Sequence, residues 1–363
     1  MLYSTITRLL PLTTIRCERT LPIPGEVLVR PGDPVDPVRI IARAQKPGDF
    51  YLVNVARLLK VPQEVAKQAI RVRAGDEVRA GQRIAVYRPT LGLIPRACRS
   101  PVDGTVVAIG GGRLLIEATT SEKIEVRAHL KGLVAEVIPE RGAVIETTGA
   151  WVQGAWGSGG YAYGVLKTLV ERPDQPVRAK MIDITCHGAV IMGGFIQDEA
   201  AFQQAIELQV RAIIVGSLPA DLIHLARQAP FPVVATEGLG QVPMAAPIFQ
   251  LLQQYEGREA AVSGEMQLRW EKIRPEIIIP LPTSTKPPPP EVPEAVLRVG
   301  HQVRVTRGPY RGAVGRISSL SPAPQPMEAG FRLPGAWVRL ESLAGEAAKE
   351  PVFVPYLNLE RIG

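Results

Sequence analysis

The chain has 363 residues, 46% hydrophobic and 21% charged, with 42 Lys and Arg against 35 Asp and Glu, a formal charge of +7. That length points to two to four domains, and the apolar content excludes a disordered polymer. The basic excess permits anionic partners, while an aromatic content of 5% leaves little surface for stacking on single-stranded nucleic acid.

Residues 1–21 form an N-terminal segment whose short apolar run is broken by Arg8 and Pro11. It lacks the apolar core and small-residue cleavage site of a signal peptide. No run in the chain reaches 18 uninterrupted apolar residues, so no transmembrane helix and no membrane insertion is expected.

Residues 22–130 contain a repeat: Arg30-Pro31-Gly32-Asp33-Pro34-Val35 is matched by Arg73-Ala74-Gly75-Asp76-Glu77-Val78. Runs 26–29 and 69–72 before the copies, and 38–42 and 83–86 after them, are β-rich. Gly supplies a positive φ and Asp a side chain that bonds the local backbone, so each copy predicts a tight corner between strands. Between the copies, Leu52, Val55, Leu58, Leu59, Val65 and Ala69 predict one or two short helices, with Pro62 at a helix start. Residues 98–107 read as a turn feeding a strand. The combination VRAGDEVRAGQRIA … RSPVDGTVVAI resembles the barrel-sandwich hybrid fold of biotinyl and lipoyl carrier domains and of the N-terminal part of the Rnf complex C subunit. The resemblance implies a β-rich fold. It does not extend to carrier chemistry, because the hairpin tip Gly110-Gly111-Gly112-Arg113 has no lysine and Lys123 lies in another context. No cofactor is expected.

Residues 131–279 open with Gly154, Gly157, Gly159, Gly160 and Gly164 in close succession. A glycine-rich loop can present backbone N–H groups to a phosphate, which makes Gly157, Gly159 and Gly160 candidate ligand residues. The pattern is neither a P-loop nor a dinucleotide fingerprint. The competing reading is a tight inter-strand turn with Trp151 and Trp156 packed at a domain junction. A helix is expected over 163–171. A β-rich run over 180–190 follows, then an amphipathic helix over 198–209 with Asp198 at its start. Strands over 212–216 and 231–235 alternate with helices over 219–228 and 246–255. This predicts a small α/β layer with parallel strands, whose strand ends gather ligands. Ser217 and Glu237 at those ends are further candidates. Strands are expected to return between 263 and 279.

Cys186 and His187, read as part of a strand, would point to opposite faces and could not act as a pair. No metal-ligand spacing and no nucleophile or paired-carboxylate motif appears, so no metal site and no catalytic residue is assigned. The three cysteines, Cys17, Cys98 and Cys186, are far apart and odd in number, which suits a reducing cytoplasm better than a disulfide framework.

Residues 280–293, PLPTSTKPPPPEVP, read as a polyproline spacer that would hold the last domain tens of ångströms from the body, at about 3.1 Å per residue. In 294–363, LRVGHQVRVTRGPYRGAVGRISSL alternates at Val303 and Val305, turns at Gly-Pro-Tyr-Arg-Gly, and alternates again at Val314 and Ile317. This predicts a β-hairpin. A proline-rich loop over 321–330 follows. The hairpin resembles the KOW motif of NusG-type transcription elongation factors and several ribosomal proteins. That resemblance implies an SH3-like barrel that binds RNA, ribosome or RNA polymerase. Arg304, Arg307, Arg311 and Arg316 would then meet phosphates, and Tyr310 a base.

The expected fold class is multidomain α+β: an N-terminal β-rich barrel-sandwich hybrid, a central small α/β layer and a C-terminal SH3-like β-barrel. The expected function is a non-enzymatic adaptor for RNA or a ribonucleoprotein, ribosome or RNA polymerase. The alternatives are a structural subunit with protein partners, a homo-oligomer included, and a small-anion sensor or enzyme built on the α/β layer.

Overall fold

The computed structural model describes residues 5–89, 94–119, 122–267, 273–282, 287, 296–327, 330–341 and 350–363. The chain is a strand-rich α+β molecule with several sheets.

The repeated sequence folds twice into one kind of corner. Gly32 (φ 89°) and Gly75 (φ 94°) occupy the left-handed region that a side chain disfavours. Asp33 Oδ2 accepts from Arg30 N at 2.8 Å, and Asp76 Oδ2 from Arg73 N at 2.7 Å. Gly32 N donates to Val134 O and Gly75 N to Val106 O, so each corner is stitched to a neighbouring strand. The short strands that follow, Pro34–Val35 and Glu77–Val78, pair with Gly132–Ile138 and Gly104–Gly110. Two separate cores result. One holds Ile15, Ile41, Leu130 and Ile145, and the other Val55, Leu59, Ile84, Leu114 and Ile116. Helices Val55–Leu59 and Gln63–Ala69 cover the second core, the first capped by Asn54 Oδ1 and the second entered through Pro62. The stretch 69–72 is not a strand; only Ile70 bridges, to Ala85.

Gly142–Gln153 ties the molecule together. One edge pairs antiparallel with Leu9–Thr20. The other edge pairs with Gly132–Ile138 as far as Glu146 and with Glu276–Pro280 from Gly149. The N-terminal segment is therefore mostly sheet. Its Pro11 falls at the register shift between Gly149 and Trp151, where a missing N–H interrupts no ladder bond.

The same sheet continues through Glu259–Ser263, Tyr161–Thr168, Ala189–Ile196, Ala212–Leu218 and Val233–Leu239 to Trp156–Gly157. The run from Tyr161–Thr168 to Val233–Leu239 is parallel. Ala212–Leu218 is buried along its whole length, as a parallel strand covered on both faces must be. Helices Glu199–Glu207, Ile223–Gln228 and Ala246–Gln254 supply the crossovers, and Asp198 Oδ1 caps the first at Ala201 N.

Two expectations are overturned here. Residues 163–171 do not form a helix: Tyr161–Thr168 is a strand paired on both edges, and that pairing overrides local preference. Residues 180–190 are not one β run. They make two 3₁₀ turns, Ala179–Met181 and Ile184–Cys186, the second capped by Asp183, and the strand starts only at Ala189.

The last sheet runs Thr5–Thr7, Leu359–Ile362, Gln302–Val305, Val314–Pro326, Arg332–Leu340, Val352–Pro355. The predicted hairpin is present, with Gln302 opposite Arg316 and positive φ at Gly308 and Gly312. Much of the predicted proline-rich loop extends the strand Val314–Pro326. Most of the polyproline stretch lies outside the described residues, but its expected consequence does not hold. The last sheet is not held away from the body: Val314 and Ile362 join the central core, and Thr5–Thr7 pairs in parallel with Leu359–Ile362. Apolar burial brings the two parts together. No helix among the described residues is long and apolar enough to cross a membrane.

Candidate nucleic-acid interface

Arg304 lies between Val303 and Val305 in a strand whose three last residues are all buried. Its side chain is 4% exposed and faces the central layer. Nη1 donates to Glu237 Oε2 at 2.5 Å and to the Thr236 carbonyl at 2.9 Å. Nε and Nη2 both reach Glu360 Oε2. Thr7 Oγ1 donates to Glu360 Oε1 and accepts from Arg304 and Arg274. Arg274 also contacts Glu360, so two guanidinium groups face two carboxylates. Burial opposes the charge of Arg304, but Glu237 and Glu360 outweigh it and raise the pKa. Burial likewise opposes ionisation of Glu360, while Arg304, Thr7 and Arg274 hold its carboxyl below the usual range. Arg304 is therefore an internal clamp between the last sheet and the central layer, not a surface group. Glu237 is its partner, with Oε1 also accepting from Ala245 N.

The other hairpin residues lie outward. Arg307 is exposed in the turn, and Tyr310 is 41% exposed. Arg311 is exposed, with Nη2 donating to the Leu239 carbonyl at 2.6 Å. Arg316 is exposed and lies 3.6 Å from Glu341 Oε1. Directly across the sheet from Arg316 stands Arg339, also exposed and without an ion-pair partner among the described residues. Two residues along the same face, Trp337 is 39% exposed and meets Phe353 edge to face at 5.6 Å. Gly335 makes room for that ring, since a Cβ there would sit 2.5 Å from Phe353 Cζ. Two guanidinium groups and two aromatic rings thus share one sheet face. Like charges placed opposite each other do not favour folding. The alternation Gly335, Trp337, Arg339 was the available signal for this face; the register that joins it to Arg316 and Phe353 was not.

The glycine loop is a turn between Trp156–Gly157 and Tyr161–Thr168. Gly159 N already donates to Gly264 O and Gly160 N to Glu265 Oε1, so these donors are engaged. Gly157 is small because Gly264 O would lie 2.3 Å from a Cβ there. Trp151 and Trp156 are both buried.

The strand ends are covered as well. Ser217 is fully buried, its hydroxyl donating to Val242 O and accepting from Val242 N. Gly194 and Gly216 admit the Pro173–Gln175 and Met244 backbones, within 2.5 Å of where their Cβ atoms would be. Cys186 and His187 end a 3₁₀ turn rather than lying in a strand. Cys186 is buried, and His187 Nδ1 lies 3.2 Å from Leu208 O. No three His, Cys, Asp or Glu side chains among the described residues converge as a metal site.

No protein-family model matches this chain, and no curated protein matches it.

Proposed function

We propose that this protein is a non-enzymatic adaptor that binds RNA, alone or within a ribosome or RNA polymerase, through its C-terminal SH3-like sheet. The observation that carries this reading is the face on which Arg316 and Arg339 stand opposite each other beside Trp337 and Phe353. Guanidinium forks pair with phosphates, and exposed rings stack on unpaired bases. Arg307 and Tyr310 in the turn add a second point of contact. The KOW-like hairpin sequence supports the same reading. A fluorescence-anisotropy titration of the full chain with a single-stranded RNA tests it. Trp337→Ala is expected to weaken binding by about 1–3 kcal/mol, the worth of one stacked base. Undiminished affinity in that variant would contradict it.

One observation favours a second reading, a subunit of a larger protein assembly. Phe50–Asn54 is an edge strand with Phe50 59% and Leu52 63% exposed. Such an edge offers unpaired backbone groups and apolar side chains to another chain.

A further inference from the structure

A cleft of about 550 Å³ lies among the strand Leu9–Thr20, residues 125–129, and the starts of Tyr161–Thr168 and Glu276–Pro280. That volume is in the range of small-molecule sites. Nothing in the RNA reading uses it.

Arg19 lines this cleft beside the carboxylates of Glu18, Glu125 and Glu276. The guanidinium lies 5.0 Å over the Tyr161 ring, and it donates hydrogen bonds to the backbone carbonyls of Ala128 and Glu18. No carboxylate among the described residues forms an ion pair with it. The other arginines lining the cleft are matched: Arg16 with Glu146 and Arg274 with Glu360. On the Glu276–Pro280 side, Glu276 Oε2 accepts from Trp151 Nε1 at 3.0 Å. Burial pushes the Glu276 carboxyl up, with Arg19 opposing.

His129 lies flat on Tyr161, ring centroids 4.3 Å apart and planes 11° from parallel. Its φ is 52°, a conformation that any residue but glycine adopts at a cost. Backbone strain of this kind gathers at functional sites. Burial, then the charges of Arg19 and Arg127, push the imidazole down to about 4.

We propose that this cleft binds a small organic phosphate with a flat body, of the nucleoside monophosphate class, its anionic head on Arg19 and its ring against the His129–Tyr161 stack. Gln153 and Ser263 supply neutral polar groups at the cleft wall. The anion would give Arg19 an ion-pair partner, which it lacks among the described residues.

Calorimetric titration of the full chain with AMP, inorganic phosphate and adenosine as separate probes tests this. AMP is expected to bind more tightly than either fragment. Arg19→Gln should weaken AMP about tenfold or more, the effect of losing one charged hydrogen-bond partner. His129→Gly removes the ring and relieves the strain, so it should weaken AMP while leaving the melting temperature unchanged or higher. Arg316→Gln/Arg339→Gln should leave AMP binding unchanged, which separates this site from the RNA-binding face. The proposal is overturned if AMP gives no heat, if adenosine binds as tightly as AMP, or if Arg19→Gln binds AMP like the wild type. It is also overturned if His129→Gly melts lower yet binds AMP normally, since the ring would then be packing alone.

Discussion

Arg304 takes its role from what lies on the far side of its strand. Alternation sends Val303 and Val305 to one face and Arg304 to the other. That other face meets Thr7, Thr236 and Glu237, so the guanidinium closes an interface. Removing one member of a buried pair leaves charge uncompensated, at a cost of about 3–5 kcal/mol. Arg304→Met is expected to lose stability of that order in urea unfolding; wild-type stability would contradict the clamp. The pH dependence has a definite sign. The Glu360 carboxyl is held below its ordinary range, so its contribution is complete above the unfolded value of about 4.3 and is lost as pH falls through the depressed folded value. Glu360→Gln should therefore flatten the acid limb of the stability curve.

At the scale of elements, the legible parts were those set by local chemistry. The corners at Gly32-Asp33 and Gly75-Asp76 carry their own signals, a positive φ and a side chain that bonds the adjacent backbone. The alternating strands and helices of the central layer were legible for the same reason. Tyr161–Thr168 was not, because its two partners, Glu259–Ser263 and Ala189–Ile196, come from distant sequence. The site divides in the same way. Arg307 and Tyr310 were readable as exposed turn residues. The internal place of Arg304 depends on Glu237, 67 residues away, and the Arg316–Arg339 face depends on cross-strand register. The edge strand Phe50–Asn54 carries its own prediction. If it pairs with a second copy, sedimentation velocity will show concentration-dependent association that Leu52→Lys abolishes. A monomer at all concentrations would remove that reading for self-association.

At the scale of the whole molecule, one sheet runs from Pro34–Val35 through Gly142–Gln153 into the parallel layer, and the first strand of the chain completes the last sheet. With the Arg304 clamp, this joins the Arg316–Arg339 face to the body directly rather than through a spacer.

The central claim is most directly tested by the salt dependence of RNA affinity for the full chain. Each phosphate contact on a single strand contributes about 0.7 to the slope of log K against log salt. The account predicts a linear fall for the wild type and a slope smaller by about 1.4 for Arg316→Gln/Arg339→Gln, two contacts at about 0.7 each. Salt-independent binding, or a slope unchanged in the double variant, would contradict it.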